Sequence, residues 1–140
     1  MDKILLIHGP NLNLLGKRNI DIYGKFTEDD IINFLKTNFP NIKFDFFQSN
    51  SEGAIIDIIH TSFKYDGIII NPGAFAHYSY SIRDAIESIE KPFIEVHISN
   101  TNKREDFRKK LVLSDVCVST IIGKAIMGYK QAVNHLKELA

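Results

Sequence analysis

The sequence predicts an α/β fold, a doubly wound five-stranded parallel sheet with helices on both faces. Three observations point there: short apolar runs recur along the chain, helical apolar spacings fall between them, and Asn, Gly, Ser and His gather directly after the runs. Strands that are apolar on both faces are what a parallel sheet covered by helices on each side requires.

The runs are Ile4 to Ile7, Ile42 to Phe47, Gly67 to Ile70, Phe93 to Val96 and Val116 to Val118, each of strand length. Thr27 with Asp30 makes a capping-box-like start before Ile31, Leu35 and Phe39. Helical spacing returns at Ile55, Ile58, Ile59 and Ser62, and again at Ile82, Ala85, Ile86 and Ile89. Asn102 to Leu111 and Gly123 to Leu139 complete the helices, the last with Ile126, Tyr129, Val133 and Leu136 on one stripe. With 140 residues, 44% of them hydrophobic, the chain reads as one domain of flavodoxin-like size over residues 1–140.

Seventeen basic and seventeen acidic side chains cancel, so no nucleic-acid or membrane partner is expected and any anion must be bound locally. The single cysteine, Cys117, lies in the fifth apolar run, which suits a small buried hydrophobe in a reducing compartment and excludes an internal disulfide. Asp2 and Lys3 lead straight into Ile4, unlike a signal peptide, and no apolar run approaches spanning length. A cytoplasmic protein without a membrane anchor is therefore expected.

Ligands of open parallel sheets bind outside the carboxyl ends of the strands, where the strand order reverses. The first run ends in His8-Gly9-Pro10-Asn11, the second in Gln48-Ser49-Asn50, the third in Asn71-Pro72-Gly73 and the fourth in His97-Ile98-Ser99-Asn100. Turn formation and helix capping explain any one of these; their coincidence at four strand ends points to a site. Gly9 to Lys25 is long for a strand-to-helix connection and contains Arg18 and Tyr23, so a lid loop is expected at about residues 17–25. There is no G-x-G-x-x-G, Walker sequence or G-x-S-x-G elbow, and His8, His77 and His97 have no metal-ligand spacing. Acid–base chemistry on a polar substrate remains.

Gly9-Pro10-Asn11-Leu12-Asn13-Leu14-Leu15-Gly16, Arg18, Tyr23-Gly24, Gln48-Ser49-Asn50 with Glu52-Gly53, Asn71-Pro72-Gly73-Ala74 with His77, and Glu95-Val96-His97-Ile98-Ser99-Asn100 follow one another in a chain of this length. Together they resemble the type II 3-dehydroquinate dehydratases. The resemblance implies reversible removal of water from 3-dehydroquinate to 3-dehydroshikimate in the shikimate route, by anti elimination through an enolate, with no metal or organic cofactor. It implies Tyr23 as the base, Arg18 as the essential lid arginine, His97 as the acid and Asn11 as a holder of water against the enolate oxygen. Asn71, His77, Ile98, Ser99 and Arg108 match positions that bind the substrate's hydroxyls and carboxylate. Asp84 matches a contact made across a subunit boundary, in a family usually built as a dodecamer, a tetramer of trimers.

The residue types suit those roles. A tyrosine ordinarily ionises near pH ~10, so a neutral-pH base needs its phenolate favoured, which a nearby guanidinium helps to do. By itself Tyr23 reads first as a packing tyrosine with its hydroxyl in water, and the resemblance reverses that preference. Glu95 points to the same strand face as His97 and would orient the imidazole, or else satisfy nearby backbone donors. Arg108 and Asp84 would ordinarily be surface charges, and His60 and His135 lie away from every motif. Two departures from the family pattern stand out: Asn19-Ile20 replaces the commoner Glu-Pro after Arg18, which loosens the lid when empty, and His8 takes a position often held by Asn or Gln. A flavodoxin-like flavin or nucleotide binding module and an inactive oligomeric scaffold are the rival readings.

Overall fold

The computed structural model describes residues 1–140. Its strands are β1 (Lys3–His8), β2 (Lys43–Gln48), β3 (Gly67–Asn71), β4 (Phe93–His97) and β5 (Ser119–Ile122). They form one parallel sheet in the order β2-β1-β3-β4-β5. The helices are α1 (Ile20–Tyr23), α2 (Glu28–Asn38), α3 (Glu52–His60), α4 (Tyr80–Glu87) and α5 (Met127–Leu139). No helix is long and apolar enough to cross a membrane.

Side chains alternate across the strands and divide the core in two. Ile4, Leu6, Ile69, Ile94 and Val96 meet Ile31 and Leu35 of α2 and Tyr129, Ala132, Val133 and Leu136 of α5. Leu5, Ile7, Ile68, Ile70 and Phe93 meet Ile55 and Ile59 of α3 and Ile82, Ala85 and Ile86 of α4. The doubly wound sheet is thus the observed fold. α2 begins in a full capping box, Thr27 and Asp30 each accepting the other's backbone N–H.

Three elements differ from expectation. The fifth strand starts after Val118, at Ser119, where pairing with Ile94 begins; Val116 and Cys117 pack against the second core on the approach to the ladder. Cys117 therefore precedes the strand, and burial pushes its thiol well above the usual range. Residues 102–111 form no α-helix but short 3-10 turns at Thr101–Lys103 and Asp106–Lys109, since this highly charged run offers only Phe107 and Leu111, both in its second half, in place of a continuous apolar stripe. Left-handed backbone at Gly123 (φ 73°) and Ala125 (φ 51°) delays α5 until Met127.

The strand order reverses between β1 and β3, the chain stepping from β1 outward to β2 and then back across to β3. His8 and Asn71 are register partners at the carboxyl ends of these two strands. Their following loops touch backbone to backbone. A Cβ added to Gly9 would stand 2.3 Å from the Pro72 carbonyl oxygen, so only glycine fits there. Gly73 (φ 59°) likewise lies against the Pro10 carbonyl, and the Gly9 N–H donates to the Asn71 carbonyl at 2.8 Å.

Candidate active site

A pocket opens over this reversal point, at the ends of β1, β3 and β4. Asn11, Arg18, Tyr23, Asn71, His77, His97, Ile98, Ser99 and Arg108 all line it. Glu95 stands behind His97, fully buried, and Asp84 lies on α4 with its side chain 76% exposed, outside the pocket wall of its own chain.

Arg18 and Tyr23 converge through α1, a single turn capped by the Asn19 side chain, which accepts the Asp21 N–H. Asn19 thus caps the turn that opens at Ile20, the position at which the commoner proline would have restricted φ. The Arg18 guanidinium lies 3.8 Å from the Tyr23 ring centre, and its Nη2 donates to the Tyr23 hydroxyl at 2.8 Å. A second guanidinium reaches the same oxygen: Arg104 Nη1 donates to it at 2.7 Å and to Ser99 Oγ at 3.3 Å. Burial holds the Arg18 guanidinium below its ordinary range; the Tyr23 oxygen opposes that shift, and the positive charges of Arg104 and Arg108 add to it.

On β4, His97 Nε2 meets Glu95 Oε2 at 2.6 Å. The other Glu95 oxygen accepts from Ser114 Oγ at 2.9 Å and Thr120 Oγ1 at 3.2 Å, so the buried carboxylate is saturated with donors. An acceptor-only carboxylate places hydrogen on Nε2, leaving Nδ1 as the ring nitrogen free for proton exchange. His77 packs beside His97, ring centres 6.4 Å apart, with Nδ1 donating to the Lys110 carbonyl at 2.8 Å. Burial lowers the His77 pKa, the Lys110 hydrogen bond resists, and the charges of His97 and Arg108 lower it further.

Asn11 adopts the left-handed conformation that asparagine tolerates, φ 69°, and its N–H donates to Asn50 Oδ1 at 2.9 Å. Gln48 Nε2 donates to that same oxygen at 3.2 Å, so the end of β2 braces the turn after β1. Arg108 is held by Glu105. No group of three or more His, Cys, Asp or Glu side chains is arranged to hold a metal ion. His8, His77 and His97 are instead separately engaged with Glu28, the Lys110 carbonyl and Glu95.

The family model described as dehydroquinase class II matches residues 2–137. The chain belongs to the class II dehydroquinase family. The 3-dehydroquinate dehydratase of Bacillus cereus is 52% identical over 143 residues, spanning 99% of this chain and 97% of the relative. The crystal structure of type II dehydroquinase from Butyrivibrio crossotus superposes with a TM-score of 0.94 at 47% identity, covering 97% of both chains. That of Propionibacterium acnes gives 0.91 at 37% identity, covering 97% of this chain and 96% of the other.

Three participants in this class II dehydroquinase pocket escape sequence reasoning. Arg104 sits in a charged run that reads as a solvated surface, 81 residues from Tyr23. Ser114 and Thr120, the hydroxyl partners of Glu95, are 19 and 25 residues from it and belong to no motif. The alternation that places Thr120 beside Glu95 on neighbouring parallel strands is the one available signal.

Proposed function

We propose that this class II dehydroquinase catalyses reversible anti elimination of water from 3-dehydroquinate to 3-dehydroshikimate, in the shikimate route to chorismate and the aromatic amino acids. The supporting observation is the Tyr23 hydroxyl, gripped by two guanidiniums in a pocket that also contains His97 with Glu95 behind it. Two cationic donors stabilise negative charge on the Tyr23 oxygen, the form that acts as a base. The phenolate takes the proton from the carbon beside the ketone, and the C–H electron pair moves into an enolate. Asn11 holds a water against the enolate oxygen. The enolate then re-forms the ketone and pushes its electrons into the new C=C bond, expelling the hydroxyl, which the His97 imidazolium protonates so that it leaves as water. Glu95 orients that imidazole and stabilises its charge.

Arg18, Arg104 and Arg108 give the pocket a positive character suited to a substrate carboxylate. Asn71, His77, Ser99 and the backbone at Ile98 bind its hydroxyls and carboxylate. Buried Arg104 Nε and Thr101 Oγ1 lack a protein hydrogen-bond partner, which a polar ligand would supply. No metal or organic cofactor has a step in this reaction. Asp84, exposed on its own chain, acts across a subunit boundary in a homo-oligomer, a dodecamer built as a tetramer of trimers, in the cytoplasm. The residue 17–25 segment serves as the lid.

The test is growth of the ultraviolet absorbance of the enone product when purified chain meets 3-dehydroquinate, with chelator present and no nucleotide added. Turnover is expected. Its absence in a folded sample, with sedimentation establishing the oligomer, rejects the reading.

A further inference from the structure

His8 is completely buried and has no step in the proposed chemistry, yet both of its ring nitrogens are engaged. Nδ1 lies 2.7 Å from Glu28 Oε2, and Nε2 lies 2.8 Å from the Tyr129 hydroxyl. Tyr129, also completely buried, takes a second partner at 3.0 Å: Asn71 Nδ2, from a residue of the pocket wall. Asn71 Oδ1 accepts the Gly73 N–H at 3.2 Å. The chain of contacts joins the first turn of α2, the end of β1, the first turns of α5 and the end of β3.

We propose that Glu28, His8 and Tyr129 form a one-way hydrogen-bond relay that fixes the Asn71 amide in a single orientation, and that the fixed amide selects a hydroxyl group of the ligand. Glu28 and Tyr129 are positioning residues in this scheme, as is His8; Asn71 is the residue that touches ligand, which rests on the functional reading above.

Direction enters at Glu28. A carboxylate only accepts, so His8 Nδ1 carries the hydrogen. A neutral imidazole has a single N–H, so Nε2 must accept, and the Tyr129 O–H points to it. Burial lowers the pKa of His8 although Glu28 opposes the shift, which agrees with a neutral ring. With its hydrogen committed to His8, Tyr129 has only lone pairs left for Asn71 and therefore faces the amide N–H. Reversing the amide would set its NH2 against the Gly73 N–H and its oxygen against a hydroxyl with no hydrogen to give. Asn71 is only 3% exposed, so water is poorly placed to rescue either mismatch.

One amide N–H and one oxygen lone pair then remain for the pocket. A hydroxyl can accept from the first and donate to the second, whereas a carboxylate can use only the first. The Asn71 wall thus prefers hydroxyls, while the arginines serve the carboxylate.

The experiment combines Tyr129→Phe, Asn71→Ala and the double variant, assayed with 3-dehydroquinate. Each single change should raise KM about tenfold, the loss of roughly one hydrogen bond made equally in ground and transition states, with kcat within about twofold. The double variant should be no worse than Asn71→Ala, because Tyr129 acts through Asn71. Multiplying penalties, or an unchanged KM in Tyr129→Phe, would overturn the relay. Should Tyr129→Phe fail to fold, Glu28→Gln removes the direction from the other end, since an amide both donates and accepts; it should raise KM likewise, and a wild-type KM there counts against the relay. Nitrogen-15 NMR of the full wild-type chain reads the device without substrate: His8 should be protonated on Nδ1 alone, and the opposite tautomer refutes the proposal. If the wild type does not turn over 3-dehydroquinate, the functional reading falls and the NMR result judges the relay.

Discussion

Replacing Glu95 by glutamine isolates the charge behind His97 from the space it fills. The carboxylate is fully buried, with one oxygen 2.6 Å from His97 Nε2 and the other accepting from Ser114 and Thr120. Glutamine has nearly the same shape. It can turn its oxygen to His97 and its NH2 to the two hydroxyls, which rotate to accept. Packing is kept and the negative charge is lost. A hydrogen bond to a charged group is worth about 1.5–3 kcal/mol against about 0.5–1.5 kcal/mol for a neutral one, so about 1–1.5 kcal/mol of support is withdrawn from the imidazolium when an amide oxygen replaces the carboxylate. At about 1.4 kcal/mol per decade, kcat should fall by about 5- to 12-fold. Stability should stay within about 1 kcal/mol of wild type, because the isostere leaves no buried donor unpaired. Initial rates of enone formation give the first quantity and denaturant melts the second. A Glu95→Gln enzyme with wild-type kcat would show that His97 needs no buried charge, and would refute the proposed pairing.

Tyr23→Phe deletes the proposed base and should lower kcat by at least about 100-fold in the same assay while the circular dichroism spectrum is retained; near-normal turnover would remove Tyr23 from the mechanism. Arg104→Ala takes away one of the two charged donors on the Tyr23 oxygen and should reduce kcat/KM by about tenfold or more, with Arg104→Lys restoring only part of the loss because a flexible ammonium does not reproduce the fixed, planar placement of the Nη1 that serves both Tyr23 and Ser99. Stability should depend on pH in a defined sense. His8 and His77 have folded pKa values lowered from 6.5, so their contribution is complete above about pH 6.5 and is lost as pH falls from there through the folded values. Denaturation midpoints should therefore drop between pH 7.5 and 5.5, and a flat profile would mean that the buried imidazoles are not held neutral.

The sheet was largely legible because its strands are buried on both faces and leave uninterrupted apolar runs at Ile4–Ile7, Gly67–Ile70 and Phe93–Val96. The same signal misled at Val116–Val118, since an apolar approach to a strand buries as well as the strand itself, and hydrophobicity does not mark where the ladder begins. Around residues 102–111 a charged run offered helix formers without a face to bury, and the chain settled into 3-10 turns. Pocket residues at strand ends could be named because topology delivers every strand end to one edge. Arg104 could not, nor could the partners of His8, Glu28 and Tyr129, which are 20 and 121 residues away. Such convergences are decided by how α2, α5 and the loop after β4 pack on the finished sheet.

The backbone contact between the Gly9 and Gly73 turns divides the pocket mechanically. Where a peptide plane rests directly on another, no side chain is present whose rotamers could yield, and the Gly9 amide is tied into β3 through the Asn71 carbonyl. The junction extends the β1–β3 ladder by one hydrogen bond beyond its last register pair, so the Gly9 amide hydrogen should exchange with solvent more slowly than those of the residue 17–25 segment. The Arg18 to Tyr23 wall is joined to the rest by guanidinium contacts that can break singly. If the residue 17–25 segment is the lid proposed above, adaptation to a ligand falls to that one wall of the pocket, and the floor it would meet is as firmly tied as the sheet beneath it.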